Sequence, residues 1–334
     1  MAFPEIKWHV PAFNPYIRIP RQGVYSLDSI LSNRTLKNPG ETMSNQTNDS
    51  YVEVNGGKIW YEIVGDGPGL PLITLHGGPG STHFGLEPLR AIGADRPVVF
   101  YDQLGCGNSD RPDDPQLWKI DRFVEELLQL LKSLGFQQFH LLGHSWGTML
   151  ALDYYLSHPT GVTSLILSSP CLSVPLWLAD CNKYRKELPV QIQEKLEYHE
   201  KNGSTDSEEY LNATKEFNKR HVLRLETVPT PVLKGRENRG KQVYKTMWGD
   251  NEFFMNGNLK DYDRTQRLAS VTIPSLYSCG RFDEASPDTV KTYADLTANS
   301  QFHVYENSAH MPHWEDTVEY LSTISDFLVR SESR

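Results

Sequence analysis

The run Gly143-His144-Ser145-Trp146-Gly147 constrains this chain more than any other feature. It follows an apolar run, Phe139 to Leu142, and precedes a segment of helical character that extends through Tyr155. Glycine at both ends of G-x-S-x-G suits a sharp strand-to-helix turn, because a larger side chain would clash across it. A serine at the apex is held proud of the backbone. The N–H of the next residue, Trp146, then faces the same space. A chain built around such a turn needs strands that run into helices, and the flanking sequence supplies them.

The stretches Tyr51 to Val54 and Lys58 to Val64, joined by Asn55-Gly56-Gly57, predict a β-hairpin. Leu70 to Leu75, Pro97 to Tyr101, Phe139 to Leu142 and Val162 to Leu167 predict short buried strands. Apolar residues at 120, 123, 124, 127, 128, 131 and 134 mark one face of a helix from Ile120 to Leu134. This alternation predicts an α/β fold, with a mostly parallel central sheet and helices on both faces. It stops between about residues 170 and 270, where the chain is polar, helical and without a clear buried strand. It resumes with Pro274 to Cys279, a helix from Pro287, a strand near Phe302 to Tyr305 and a last helix. Val318, Leu321, Ile324, Phe327 and Leu328 are expected on the buried face of that helix.

The expected organisation is an N-terminal extension (1–46), a core in two parts (47–169 and 271–334) and an inserted helical lid (170–270). The extension holds five prolines within its first 45 residues and no sustained period. It reads as poorly ordered, or as an arm packed through Trp8, Phe13 and Tyr16. The stretch from Asn38 to Ser50 reads as linker. Met43, just ahead of the regular pattern, is a candidate alternative start.

A net charge of −9 and the lack of a polybasic run argue against nucleic acid as a partner. No stretch approaches the roughly 18 apolar residues of a membrane span. The start, Met1 to Val10, lacks an apolar run of signal-peptide length. Cys106, Cys171, Cys181 and Cys279 form no C-x-x-C pair, so reduced thiols and a cytoplasmic location are expected. The N-x-S/T sequons at Asn33, Asn45, Asn48, Asn202 and Asn212 then read as chance matches in polar loops.

A nucleophilic serine needs a base, and the base needs an orienting acid, in the chain order Ser, Asp or Glu, His. Asp283 and His310 stand just past consecutive predicted strands, where such partners belong. Glu284 and His313 compete with them. A helix cap near Pro287 would fall to Ser286 and not to Asp283. The loop His76-Gly77-Gly78-Pro79-Gly80 follows a core strand and suits the second half of an oxyanion hole, beside the Trp146 amide. Gly78 is the favoured donor and Gly77 the second choice. A cis bond between Gly78 and Pro79 is expected.

Five motifs in order, His76-Gly-Gly-Pro-Gly80, Tyr101-Asp-Gln-Leu-Gly-Cys-Gly-Asn-Ser109, Gly143-His-Ser-Trp-Gly147, Gly280-Arg-Phe-Asp283 and His310-Met-Pro-His-Trp-Glu315, resemble the proline iminopeptidase family over roughly residues 47 to 330. That family comprises prolyl aminopeptidases, tricorn-interacting aminopeptidases and amino-acid amidases. The resemblance implies an α/β-hydrolase fold with an inserted helical lid. It implies a Ser145, Asp283 and His310 triad, an oxyanion hole from Gly78 and Trp146, and substrates that are small peptides or amino-acid amides. It also implies that carboxylates hold the substrate's free amine, at Glu252 in the lid segment Trp248-Gly-Asp-Asn-Glu252-Phe253 and at Glu284. Desolvating an ammonium demands such partners. Leu104 departs from the arginine that the most proline-selective members carry there, which loosens strict proline preference. Trp248, Phe253 and Phe254 are candidates either for an apolar pocket or for packing of the lid. The scheme needs no metal or organic cofactor and leaves the oligomeric state open. The rivals are an esterase or acyl hydrolase of specialised metabolites, using the same triad on a substrate without an amine, and a non-catalytic binding protein on the same fold.

Overall fold

The computed structural model describes residues 50–333 together with two short strands, β1 (Ile17–Arg18) and β2 (Val24–Tyr25). The chain divides into two units at Gln46–Thr47. In the first, β1 pairs antiparallel with β2. The proposed arm through Trp8, Phe13 and Tyr16, the linker at 38–49 and the candidate start Met43 lie outside the described residues.

The second unit is built on β3 (Ser50–Val54), β4 (Gly57–Val64), β5 (Leu72–Leu75), β6 (Val98–Tyr101), β7 (Phe139–His144), β8 (Val162–Ser168), β11 (Ser275–Gly280) and β12 (Ser300–Tyr305). These eight form one sheet in the order β12-β11-β8-β7-β5-β6-β4-β3. Six neighbouring strands, β12 to β6, run parallel, and the hairpin β3–β4 closes one edge antiparallel. β5, β6, β7 and β11 are buried along their whole length, as strands covered on both faces must be.

The period of two sorts the core. Val99, Tyr101, Leu141, Leu165 and Leu167 join one apolar cluster, while Val98, Phe100, Leu142 and Ile166 join another. The first cluster is completed by α1 (Ile120–Leu134), α2 (Trp146–Ser157) and α8 (Pro287–Asp295). The second is completed by the 3-10 segment His83–Ala94 and α10 (Thr317–Glu332). α1 has the predicted bounds and ends on Gly135, whose φ of +71° suits a residue without Cβ. In α10, Ile324, Phe327 and Leu328 are buried as expected, but Val318 is 44% exposed. Tyr320 takes the inward position instead, its ring meeting Tyr305 and His313. The first turn of α10 is therefore rotated away from the expected face.

Between β8 and β11 lie α3 (Val174–Arg185), α4 (Val190–Asn202), α5 (Glu208–His221), α6 (Thr230–Glu237) and α7 (Lys241–Met247). Ser173 and Ser207 cap α3 and α5 by accepting from Leu176 N and Tyr210 N. The sequence reading missed a small antiparallel pair here, β9 (Gly249–Asn251) and β10 (Phe254–Met255), because so few residues carry no readable alternation. The remaining short helix is α9 (Pro312–Glu315). Among the described residues no helix is long and apolar enough to cross a membrane.

After β5 the chain passes to β6 on one side and then returns to β7 on the other. The crevice past the carboxyl ends of β5 and β7 is thus the switch point where open α/β sheets bind ligands.

Candidate active site

Ser145 stands at that switch point, between β7 and α2. Its backbone has φ 55° and ψ −123°, a conformation that non-glycine residues rarely hold outside functional sites. The flanking glycines are obligatory. A Cβ on Gly143 would lie 2.2 Å from the Gly147 carbonyl oxygen, and one on Gly147 would lie 2.1 Å from that of Leu75. The Ser145 amide donates to Ser168 O across the sheet at 3.0 Å, which anchors the turn.

His310 and Asp283 arrive from the loops after β12 and β11. His310 Nδ1 donates to Asp283 Oδ1 at 2.8 Å, and the same oxygen accepts from Ala285 N at 2.9 Å. Burial alone would lower the His310 pKa, but the charge and hydrogen bond of Asp283 outweigh it, and the pKa is raised. Ser145 and His310 line one pocket of about 170 Å³. His313 is fully buried against His144 and Tyr320 and has no carboxylate partner among the described residues. Ser286, not Asp283, caps α8, accepting from Thr289 N at 3.2 Å.

The loop after β5 passes directly over Ser145: a Cβ on Gly77 would lie 3.1 Å from Ser145 Cβ. The Gly78–Pro79 peptide bond is cis. Gly78 has φ +114°, and a Cβ there would lie 2.6 Å from Ser81 N, so only glycine fits. Among the described residues, no protein acceptor takes the amide of Gly78 or of Trp146. Both donors are therefore available to a third group.

Glu284 is fully buried, and among the described residues neither carboxyl oxygen has a hydrogen-bond partner. Its Oε1 lies 3.8 Å from His310 Nε2. Burial, then Glu252 and Asp283, push its pKa well above the usual carboxylate range. Glu252, in the turn between β9 and β10, is half-buried and lines the pocket. Tyr244 Oη donates to Glu252 Oε1 at 2.8 Å, and Trp177 Nε1 donates to its backbone carbonyl at 2.7 Å. The structure thus brings Ser145, His310, Asp283, Gly78, Trp146, Glu252 and Glu284 to one end of the sheet. A larger open groove of about 840 Å³, with Asp153 and Arg264 in its lining, shares no residue with this pocket.

A family profile described as the alpha/beta hydrolase fold matches residues 71–317. A proline iminopeptidase of Heyndrickxia coagulans is 50% identical over 282 residues, covering 84% of this chain and 98% of that protein. The structure of a proline iminopeptidase of Mycobacterium smegmatis superposes with a TM-score of 0.78 at 33% identity, covering 85% of this chain and 98% of the other. VinJ superposes with a TM-score of 0.81 at 35% identity, covering 84% and 98%. The chain belongs to the proline iminopeptidase family of α/β-hydrolases. It is an enzyme, a hydrolase.

Several residues that shape this iminopeptidase-family site were not singled out from sequence. Gln103 ties the loop after β5 to the helix after Ser145: its N donates to His76 Nε2 at 3.0 Å, its Nε2 donates to His76 O at 3.2 Å, and its Oε1 accepts from Trp146 Nε1 at 2.9 Å. The Tyr101–Ser109 motif carried that signal without revealing the role. The His310 backbone carbonyl accepts from His144 Nε2 at 2.7 Å and from Ser169 Oγ at 3.1 Å. Burial, helped by the nearby His310, takes the His144 pKa down to about 3, so His144 stays neutral and keeps this tautomer. Trp177 packs edge-on against His310 and against Trp248. Trp248 and Phe253 belong to the apolar core, with Phe254 packed against it, and none of the three lines the pocket. Leu104 is likewise buried in the core and outside the pocket lining.

Proposed function

We propose that this hydrolase removes the N-terminal residue from short peptides or amino-acid amides, with Ser145, His310 and Asp283 as its triad. The observation that carries the reading is a buried, unpartnered carboxyl, Glu284, beside the imidazole that faces the Ser145 pocket. A cation is the ligand that such a carboxyl lacks. A substrate ammonium held by Glu284 and Glu252 sets the neighbouring carbonyl over Ser145. His310 Nε2 takes the hydroxyl proton as Ser145 Oγ attacks. The Gly78 and Trp146 amides receive the oxyanion, an interaction whose loss costs about 10² to 10³ in rate per donor. The leaving amine departs with the proton from His310, and water, deprotonated by the same imidazole, releases the acyl group. Residues 170–270 act as the lid that carries Glu252. The names of the relatives favour proline as the first residue. The four cysteines, all buried and unpaired, support a reducing cytoplasmic setting.

A panel of aminoacyl arylamides, each with a free and an acetylated amine and with ester counterparts, tests this, using Ser145→Ala as the blank. Turnover is expected only with free amines. Glu252→Gln is expected to lower kcat/KM on those substrates at least tenfold while sparing simple esters. Equal turnover of blocked and free amines would return the protein to the esterase reading.

A further inference from the structure

Two arginines share the mouth of the Ser145 pocket. Arg236, on α6, and Arg239, just before α7, line it together with Ser145, His310 and Glu252. The Arg239 guanidinium lies 3.8 Å from the centre of the Tyr244 ring, and the hydroxyl of that same ring donates to Glu252 at 2.8 Å. One aromatic ring therefore separates a cation from a carboxylate.

Several arginines of this structure pair with a carboxylate, among them Arg122 with Glu126, Arg185 with Glu200, Arg264 with Asp153 and Arg281 with Glu306. Among the described residues Arg236 and Arg239 form no ion pair. Both line the same pocket. Desolvation at the pocket wall and then the charge of Arg239 push the Arg236 pKa down. Two like charges on the wall of one pocket repel, a cost that a bound anion would lower, and guanidinium is the group best shaped for a carboxylate.

The volume of about 170 Å³ is small for a ligand site, where roughly 300 to 1,000 Å³ is usual, so the substrate is short. A dipeptide spans about 7 Å when extended and carries an ammonium at one end and a carboxylate at the other. We propose that Arg236 and Arg239 form the leaving-group subsite and bind a carboxylate on the residue that is released. This rests on the aminopeptidase reading and adds the chemistry of the second residue. The carboxylate has two sources: the C-terminus of a dipeptide, or an acidic side chain at position two of a longer peptide.

Four prolyl substrates test it: Pro-Gly, Pro-Gly amide, Pro-Glu amide and a prolyl arylamide, assayed with the wild type and with Arg236→Gln/Arg239→Gln. The readout is the ratio of kcat/KM between charged and neutral substrates within one protein, so partial loss of folded enzyme cancels. Wild type is expected to favour Pro-Gly over its amide by about tenfold, mainly through KM, a modest figure because the arginines are partly solvated. The double variant is expected to bring the ratio near one, and the paired lysine variant to restore part of it. A preference for Pro-Glu amide over Pro-Gly amide assigns the subsite to side chains, and a preference for Pro-Gly alone assigns it to the C-terminus. A wild-type ratio near one, or an equal ratio in the variant, overturns the proposal while arylamide cleavage leaves the aminopeptidase reading standing. No cleavage of any of the four removes that reading and this subsite with it.

Discussion

At the scale of single residues, Asp283 Oδ1 serves both His310 and the local backbone. The charge behind that oxygen raises the His310 pKa above the ordinary value of about 6.5. His310 must be neutral to accept the Ser145 proton, so kcat/KM is expected to fall as pH drops through this raised pKa. Asp283→Asn removes the charge and offers an amide where an acceptor is needed. Its rate is expected to fall roughly 10⁴-fold, with the acid limb of the profile moved to lower pH. A pH–rate profile of both proteins checks this, and an unmoved limb would separate Asp283 from His310. The turn at Ser145 and the placement of Asp283 and His310 past consecutive strand ends were legible because motif and strand ends are fixed locally. The hold of His144 and Ser169 on the His310 carbonyl was not legible, since 166 and 141 residues separate those partners.

At the scale of elements, α10 shows how a charge near a helix end can be misread. Glu332 looks in sequence like one more solvated group in a polar tail. In the fold its Oε1 accepts from Leu70 N at 3.2 Å and His140 Nε2 at 3.0 Å, and it also pairs with Arg96. His140 is fully buried and Arg96 nearly so. Glu332→Ala takes the carboxylate from both, leaving Arg96 with Leu70 O and His140 with Ser164 Oγ, at a cost of about 1–3 kcal/mol. A lower Tm by several degrees with unchanged arylamide kcat/KM is expected from calorimetry and assay. An unchanged Tm would mean that α10 is held by its apolar face alone. That face was readable from periodicity, apart from its first turn, where Tyr320 displaced Val318.

At the scale of the whole molecule, the enzyme gives up stability to keep Glu284 in its site. Both the folded and unfolded carboxyls are neutral below about pH 4.3. As pH rises, the unfolded carboxyl ionises first, because burial and then the Glu252 and Asp283 charges hold the folded pKa well above the usual range. Stability therefore falls with rising pH until the folded group also ionises. Glu284→Gln is expected to match the wild type in Tm near pH 4 and to exceed it increasingly at higher pH. A constant difference across the range would mean that the Glu284 carboxyl titrates alike in the folded and unfolded states.

Sequence by itself determined the strand–turn–helix at Ser145, the alternation behind the parallel sheet and the glycines at positions 78, 143 and 147. Each of these is a local matter, of period or of backbone geometry within a few residues. Only the tertiary structure decided which charges are buried and which stand near one another. For Glu252 and Glu284 the sequence offered only the amine-binding role that the family resemblance implies, and it singled out neither Arg236 nor Arg239. Their meaning comes from burial and from the sign of what faces them. A sheet switch point and a run of helices from Val174 to Met247 bring those partners together, and pairing of this kind leaves no mark on the local pattern.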